Sequence, residues 1–74
     1  MDVSLEEASR QLEQAIHDAR VSFDCIALGD LDRAHTNAIT ARAGLDAAEN
    51  AIRAALDART AEESAEEPAE DAAP

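Results

Sequence analysis

Two amphipathic runs separated by nothing more than Gly29-Asp30 constrain this chain more than any other feature. Large apolar residues of one run meet small ones of the other wherever the residue numbers add to about 60. The pairs are Ile26 with Ala34, Phe23 with Ala38, Leu12 with Ala48, Ala8 with Ile52 and Leu5 with Ala55. Bulk opposite absence of bulk is what lets two antiparallel helices interdigitate. The chain is therefore read as all-α, an antiparallel two-helix hairpin that leaves no room for a deep pocket. The same pairing predicts that leucine at Ala38 or Ala48 overpacks the contact.

Helix 1 is expected over about residues 5–28. Ser4-Leu5-Glu6-Glu7 fits a capping box, in which the Ser4 hydroxyl accepts from the Glu7 amide while the Glu7 carboxylate reaches back to the Ser4 amide. Leu5, Ala8, Leu12, Ala15, Ile16, Ala19, Phe23 and Ile26 follow at steps of three and four, with Arg10, Gln14 and Asp18 assigned to the far side. Gly29 suits a left-handed residue just past the helix end. Asp30 then serves as N-cap of helix 2, expected over about 31–59, with Leu31 at its first position. The second stripe is Leu31, Ala34, Ala38, Ala41, Leu45, Ala48, Ile52 and Ala55, so alanine allows close axes and helix 1 supplies the bulk. Gly44 falls outside that stripe and suggests a close approach or simple tolerance. Another row of small residues, Ala43, Ala47, Ala51, Ala54 and Ala58, suits a third helix.

Residues 60–74 contain six acids, two prolines and no large apolar side chain, so burial could not offset the entropy of ordering them. They are expected to form a disordered acidic tail, with helix extending at most to Glu67. The packed part is then residues 1–59, too short to bury much apolar surface without a disulfide, a metal or a partner. One cysteine, Cys25, excludes an intramolecular disulfide. With no apolar run near the roughly 18 residues of a membrane span and no secretory pattern, a cytoplasmic location is expected, without membrane contact.

Net charge is −11, divided between the tail and a mixed-sign body in which Arg10, Arg20, Arg33, Arg42, Arg53 and Arg59 interleave with acids. No basic stripe and one aromatic residue argue against direct nucleic-acid binding. Cys25, His35 and Asp32 come near one another across the pairing, and His17 follows Glu13 by four residues. Neither group has enough ligands at matched heights for a metal, nor oxyanion donors for a nucleophile. No catalytic, cofactor or metal residues are expected, and no small-molecule substrate.

Two stretches resemble known families. Gly29-Asp30-Leu31-Asp32-Arg33-Ala34, with Ala41 beyond, resembles the inter-helix turn of a tetratricopeptide repeat, but there is one hairpin, no repeat and no aromatic on helix 2. Ser4-Leu5-Glu6-Glu7-Ala8, the Gly-Asp-Leu turn and Ala48-Glu49 resemble the small subunit of exonuclease VII. The helix lengths and the alanine face of helix 2 depart from that pattern. No family is assigned.

The end of helix 1 breaks the amphipathic rule. Val21, Cys25 and Leu28 form a second stripe that the pairing leaves uncovered, and with Phe23 and Leu31 they make the expected protein interface. Covering them implies a homodimeric four-helix bundle or docking on a larger protein. The expected function is a non-catalytic interaction module: a small acidic adaptor, inhibitor or accessory subunit. The alternative is an acidic mimic of nucleic acid, of the kind that inhibits restriction or CRISPR systems.

Overall fold

The computed structural model of the chain describes residues 3–66, and their side chains from Leu5 to Ala65. Two helices, α1 (Val3–Ala27) and α2 (Leu31–Glu66), pack against one another with no strand among the described residues. The principal extents are 66 × 24 × 13 Å, so the molecule is one layer of helix thick.

The turn follows from local chemistry. Gly29 has φ 78°, a conformation that a Cβ makes costly. Its amide donates to the Ile26 carbonyl (3.0 Å) and the Asp30 amide to the Cys25 carbonyl (2.9 Å), the paired bonds of a Schellman motif. Asp30 then caps α2, its Oδ1 accepting from the Arg33 amide at 3.2 Å. Both roles agree with the sequence expectation.

At the other end, α1 starts earlier than the capping box at Ser4 implies, and the Ser4 side chain lies outside the described residues. The helix already includes Val3, so Ser4 stands inside its first turn. The Glu7 carboxylate is taken forward along the helix, by Arg10 Nη2 at 2.6 Å and Gln11 Nε2 at 2.8 Å. Those two donors, Gln11 first, hold the Glu7 carboxyl below its ordinary range. Arg10 and Glu7 are both exposed, and an ion pair there contributes little to stability.

Antiparallel order holds, but the residues in contact are not the large ones. Ala8, Gln11, Ala15, Asp18, Ser22 and Cys25 recur at steps of three and four, as do Ala34, Asn37, Ala41, Gly44, Ala48, Ala51 and Ala55. Every member of these two rows is buried or half-buried. They are the a and d columns of a coiled-coil seam built from small side chains. A Cβ placed on Gly44 would lie 3.3 Å from the Ala15 Cβ and 3.4 Å from the Gln11 carbonyl oxygen, so the backbones nearly touch there. Of the two meanings considered for Gly44, close approach is the one realised, and Gly44 belongs to the seam.

Several expected contacts are therefore corrected. Phe23 is 73% exposed and Ala38 is exposed, so this pair forms no core; Ile26 and Ile52 are also exposed. Asp18 is buried in the seam, not on the far side, and accepts from Gln14 Nε2 at 3.2 Å. Ser22 donates across the seam to the Ala34 carbonyl at 2.7 Å. The physical reason is spacing. The column of large residues lies beside the small-residue column on the same helix, and both satisfy a 3.6-residue period. The small columns win because they let two backbones interlock along their whole shared length.

Helix α2 extends past the expected end near Arg59 to Glu66, so residues 60–66 are helical. Alanine and glutamate favour helix, and adding turns to a formed helix needs neither nucleation nor burial. The rest of the expected tail, 67–74, lies outside the described residues.

The seam makes a direct prediction. Ala48, 0% exposed, should resist enlargement: Ala48→Leu is expected to cost about 1–3 kcal/mol by overpacking. Ala43→Leu, on the exposed outer side of α2, should stay within about 0.5 kcal/mol. Urea denaturation of both variants checks this; equal destabilisation would reject the seam.

Candidate functional site

With the seam assigned, the positions beside it become legible. In column e, next to a, α1 places Leu5, Leu12, Ala19 and Ile26, and α2 places Leu31, Ala38, Leu45 and Ile52. Ile16, Phe23 and Leu56 lie one column further out. Because the helices share a hand and run in opposite directions, the same rotation away from the seam turns both e columns to one side of the hairpin. Leu5 accordingly shares a surface depression with Ile52 and Leu56. Leu5, Ile16, Phe23, Ile26, Leu31, Leu45, Ile52 and Leu56 are all exposed, and Leu12 is half-buried. They form one apolar face.

The relief of this face follows from residue size. Its layers run Leu5 with Ile52, Leu12 with Leu45, Ala19 with Ala38, and Ile26 with Leu31: three thick layers and one thin. Two shallow depressions sit at the thin layer. One is lined by Ile16, Ala19, Arg20 and Phe23, the other by His35, Ala38, Ile39 and Arg42. Glu13, Arg20, His35, Arg42 and Glu49 stand exposed around the face, with Glu49 held 3.6 Å from Arg53. Across the seam the opposite side carries Glu7, Gln14, half-buried Val21, Arg33, Thr40, Ala47 and Ala54, with Leu28 at the turn, a smaller apolar area.

The five expected interface residues do not share one surface. Phe23 and Leu31 (67% exposed) belong to the apolar face. Val21 is half-buried on the other side of the seam, one residue before Ser22. Leu28 is 79% exposed in the turn. Cys25 is 4% exposed and packs inside the seam, which corrects its assignment to an uncovered outer stripe. The stripe Val21-Cys25-Leu28 fails because Cys25 is a d residue, already covered by α2. Leu5, Leu12, Ile16, Leu45, Ile52 and Leu56 were missed as surface residues. Their signal was strict recurrence at sevens in both helices, beside a small-residue row with the same period.

Cys25 is buried while His35 and Asp32 are exposed, and His17 and Glu13 are both exposed on α1. Among the described residues, no group of three or more His, Cys, Asp or Glu is placed to hold a metal ion. Among the same residues, no helix is long and apolar enough to cross a membrane.

No protein-family model, curated protein or solved structure matches the chain.

The buried thiol gives a test of this layout. A group inside the seam reacts only when the hairpin opens. Cys25 should therefore be alkylated by iodoacetamide at least about 100-fold more slowly than in urea-unfolded protein, with the rate rising as urea is added. Near-equal rates would place Cys25 on the surface after all.

Proposed function

We propose that this chain is a non-catalytic protein-interaction module, a thin helical hairpin that presents one apolar face to another polypeptide and acts as an adaptor, inhibitor or accessory subunit. The observation that carries this reading is the two-sided hairpin: the seam is built mainly from small residues, while Leu5, Ile16, Phe23, Ile26, Leu31, Leu45, Ile52 and Leu56 are exposed on one side. A buried methylene contributes about 0.8 kcal/mol, whereas full burial of a Leu, Ile or Phe side chain contributes about 1.5–3 kcal/mol. Most of the apolar stabilisation available to this sequence is thus unrealised within one chain. From Leu5 to Ile26 the face is about 32 Å long and two helices, or about 20 Å, wide. An apolar patch of that extent exceeds what stable monomers usually leave wet.

The rival reading, an acidic surface imitating nucleic acid, gains little from this arrangement. Arg20, Arg42 and Arg53 interrupt the carboxylates around the face, so there is no uninterrupted run of negative charge there. Catalysis gains as little, because the depressions on the face are shallow and lined chiefly by aliphatic groups.

A photo-crosslinking amino acid at position 16 or 45, introduced in cells that express the chain, should yield covalent adducts with a polypeptide, whether another protein or a second copy. At position 47, on the opposite side, the adduct yield should fall about tenfold or more. Equal yields at all three positions, or none, would reject this face as the binding surface.

A further inference from the structure

We propose that a second copy of this chain occupies the apolar face, with the two turns at opposite ends, so that α1 packs on α1 and α2 on α2 in an antiparallel four-helix bundle. This rests on the reading of the face as a protein-binding surface and adds which polypeptide binds there and in what orientation.

The layers decide the orientation. Counted from the open end, the face is thick at Leu5/Ile52, thick at Leu12/Leu45, thin at Ala19/Ala38 and thick again at Ile26/Leu31. A second copy turned end for end sets its Leu12/Leu45 layer over the first copy's Ala19/Ala38 layer, and the reverse. The depressions beside Ala19 and Ala38 are where those leucines seat. The outer layers then close Leu5 on Ile26 and Leu31 on Ile52. With the turns at the same end, leucine layers would stack on leucine layers and alanine on alanine, combining overpacking at one height with a void at the next.

The next column selects the same arrangement. End for end, Ile16 lies over its own counterpart and Phe23 over Ser9 of the second copy, so isoleucine meets isoleucine and the phenylalanine ring meets a small side chain. His35 lies opposite Glu49, and Glu13 within a turn of Arg20, giving opposite charges at the rim. Arg42 meets its counterpart near the twofold axis, with Asp46 one turn away on each copy to offset the pair. With the turns together, Ile16 and Phe23 would lie against Arg42 and His35. The footprint, about 600 Å² per copy from the helix dimensions, puts the pair near 1,200 Å², the lower bound of stable interfaces.

The test uses the whole chain. Sedimentation of the unaltered protein at roughly 1 to 100 µM should give a dimer, with Leu45→Glu raising its dissociation constant at least about 100-fold and Ala47→Glu changing it less than about threefold. Orientation is read in a C25A background, helicity checked by circular dichroism. L12C and A19C proteins mixed under mild oxidation should form a disulfide-linked mixed dimer, because those positions face each other. L12C mixed with L45C should not, and L12C alone should not. Crosslinking of L12C with L45C in preference to A19C would overturn the orientation. A monomer throughout that range would overturn self-association; adducts of position 16 or 45 with a different protein would then leave the binding-module reading standing, and their absence would remove both.

Discussion

Contact between Ala15 and Gly44 is the constraint on which the rest of the structure depends. Two backbones can come this close only where neither carries bulk, and that requirement propagates along the seam as Ala8, Ala15, Ser22 on one side and Ala34, Ala41, Ala48, Ala55 on the other. A seam without bulk leaves the large side chains outside it, most of them in the two columns on one side of the hairpin. It also explains the polar residues inside. Ser22 and Asp18 are short enough to fit between close axes, and each finds a partner, the Ala34 carbonyl across the seam and Gln14 one turn earlier. No buried side-chain nitrogen or oxygen among the described residues is left unpaired. The Ser22 bond contributes little net energy but penalises any sliding that separates it from the Ala34 carbonyl.

Local chemistry was the part of the fold most legible in the sequence. Gly29 and Asp30 stop one helix and start the next through backbone geometry and a single carboxylate, so their roles needed no knowledge of packing. The hairpin order followed from that short connection. Which face would pack did not follow. Leu12, Ile16, Phe23 and Ile26 satisfy a helical period as well as Ala8, Ala15, Ser22 and Cys25 do, and hydrophobicity alone ranks the large residues first. The deciding information was the shared sevenfold recurrence of small residues in both helices, with Gly44 at a seam position. The end of α2 departs from expectation for a different reason. Lack of burial does not prevent order after Arg59, because Thr60–Glu66 extend a helix already nucleated, with alanine and glutamate favouring each added residue.

Burial of the thiol at Cys25 and exposure of Phe23 exchange the parts that composition would give them. A cysteine is small enough for the seam, and a phenylalanine is not. Size, more than polarity, sorts this chain into inside and outside. That sorting separates two tasks: small residues hold the helices to each other, and large ones form a surface that a single copy leaves open. The candidate site was partly legible, since Phe23 and Leu31 do lie on that surface, but Val21 and Cys25 were drawn in by a stripe that crosses the seam.

The two tasks remain coupled through height. The face has useful relief only if Leu12 stands level with Leu45 and Ala19 with Ala38, and the seam alone sets those levels. Sliding α2 by one seam repeat, about 10 Å, would bring Leu12 level with Ala38 or Ile52 and flatten the alternation of thick and thin layers. It would also move Gly44 away from Ala15 and bring Asn37 or Ala51, each carrying a Cβ, to the point where the backbones nearly touch. The hydrogen bond from Ser22 to the Ala34 carbonyl would be lost in the same step. A residue with no side chain, on the inside of the hairpin, therefore helps determine what the outside can bind.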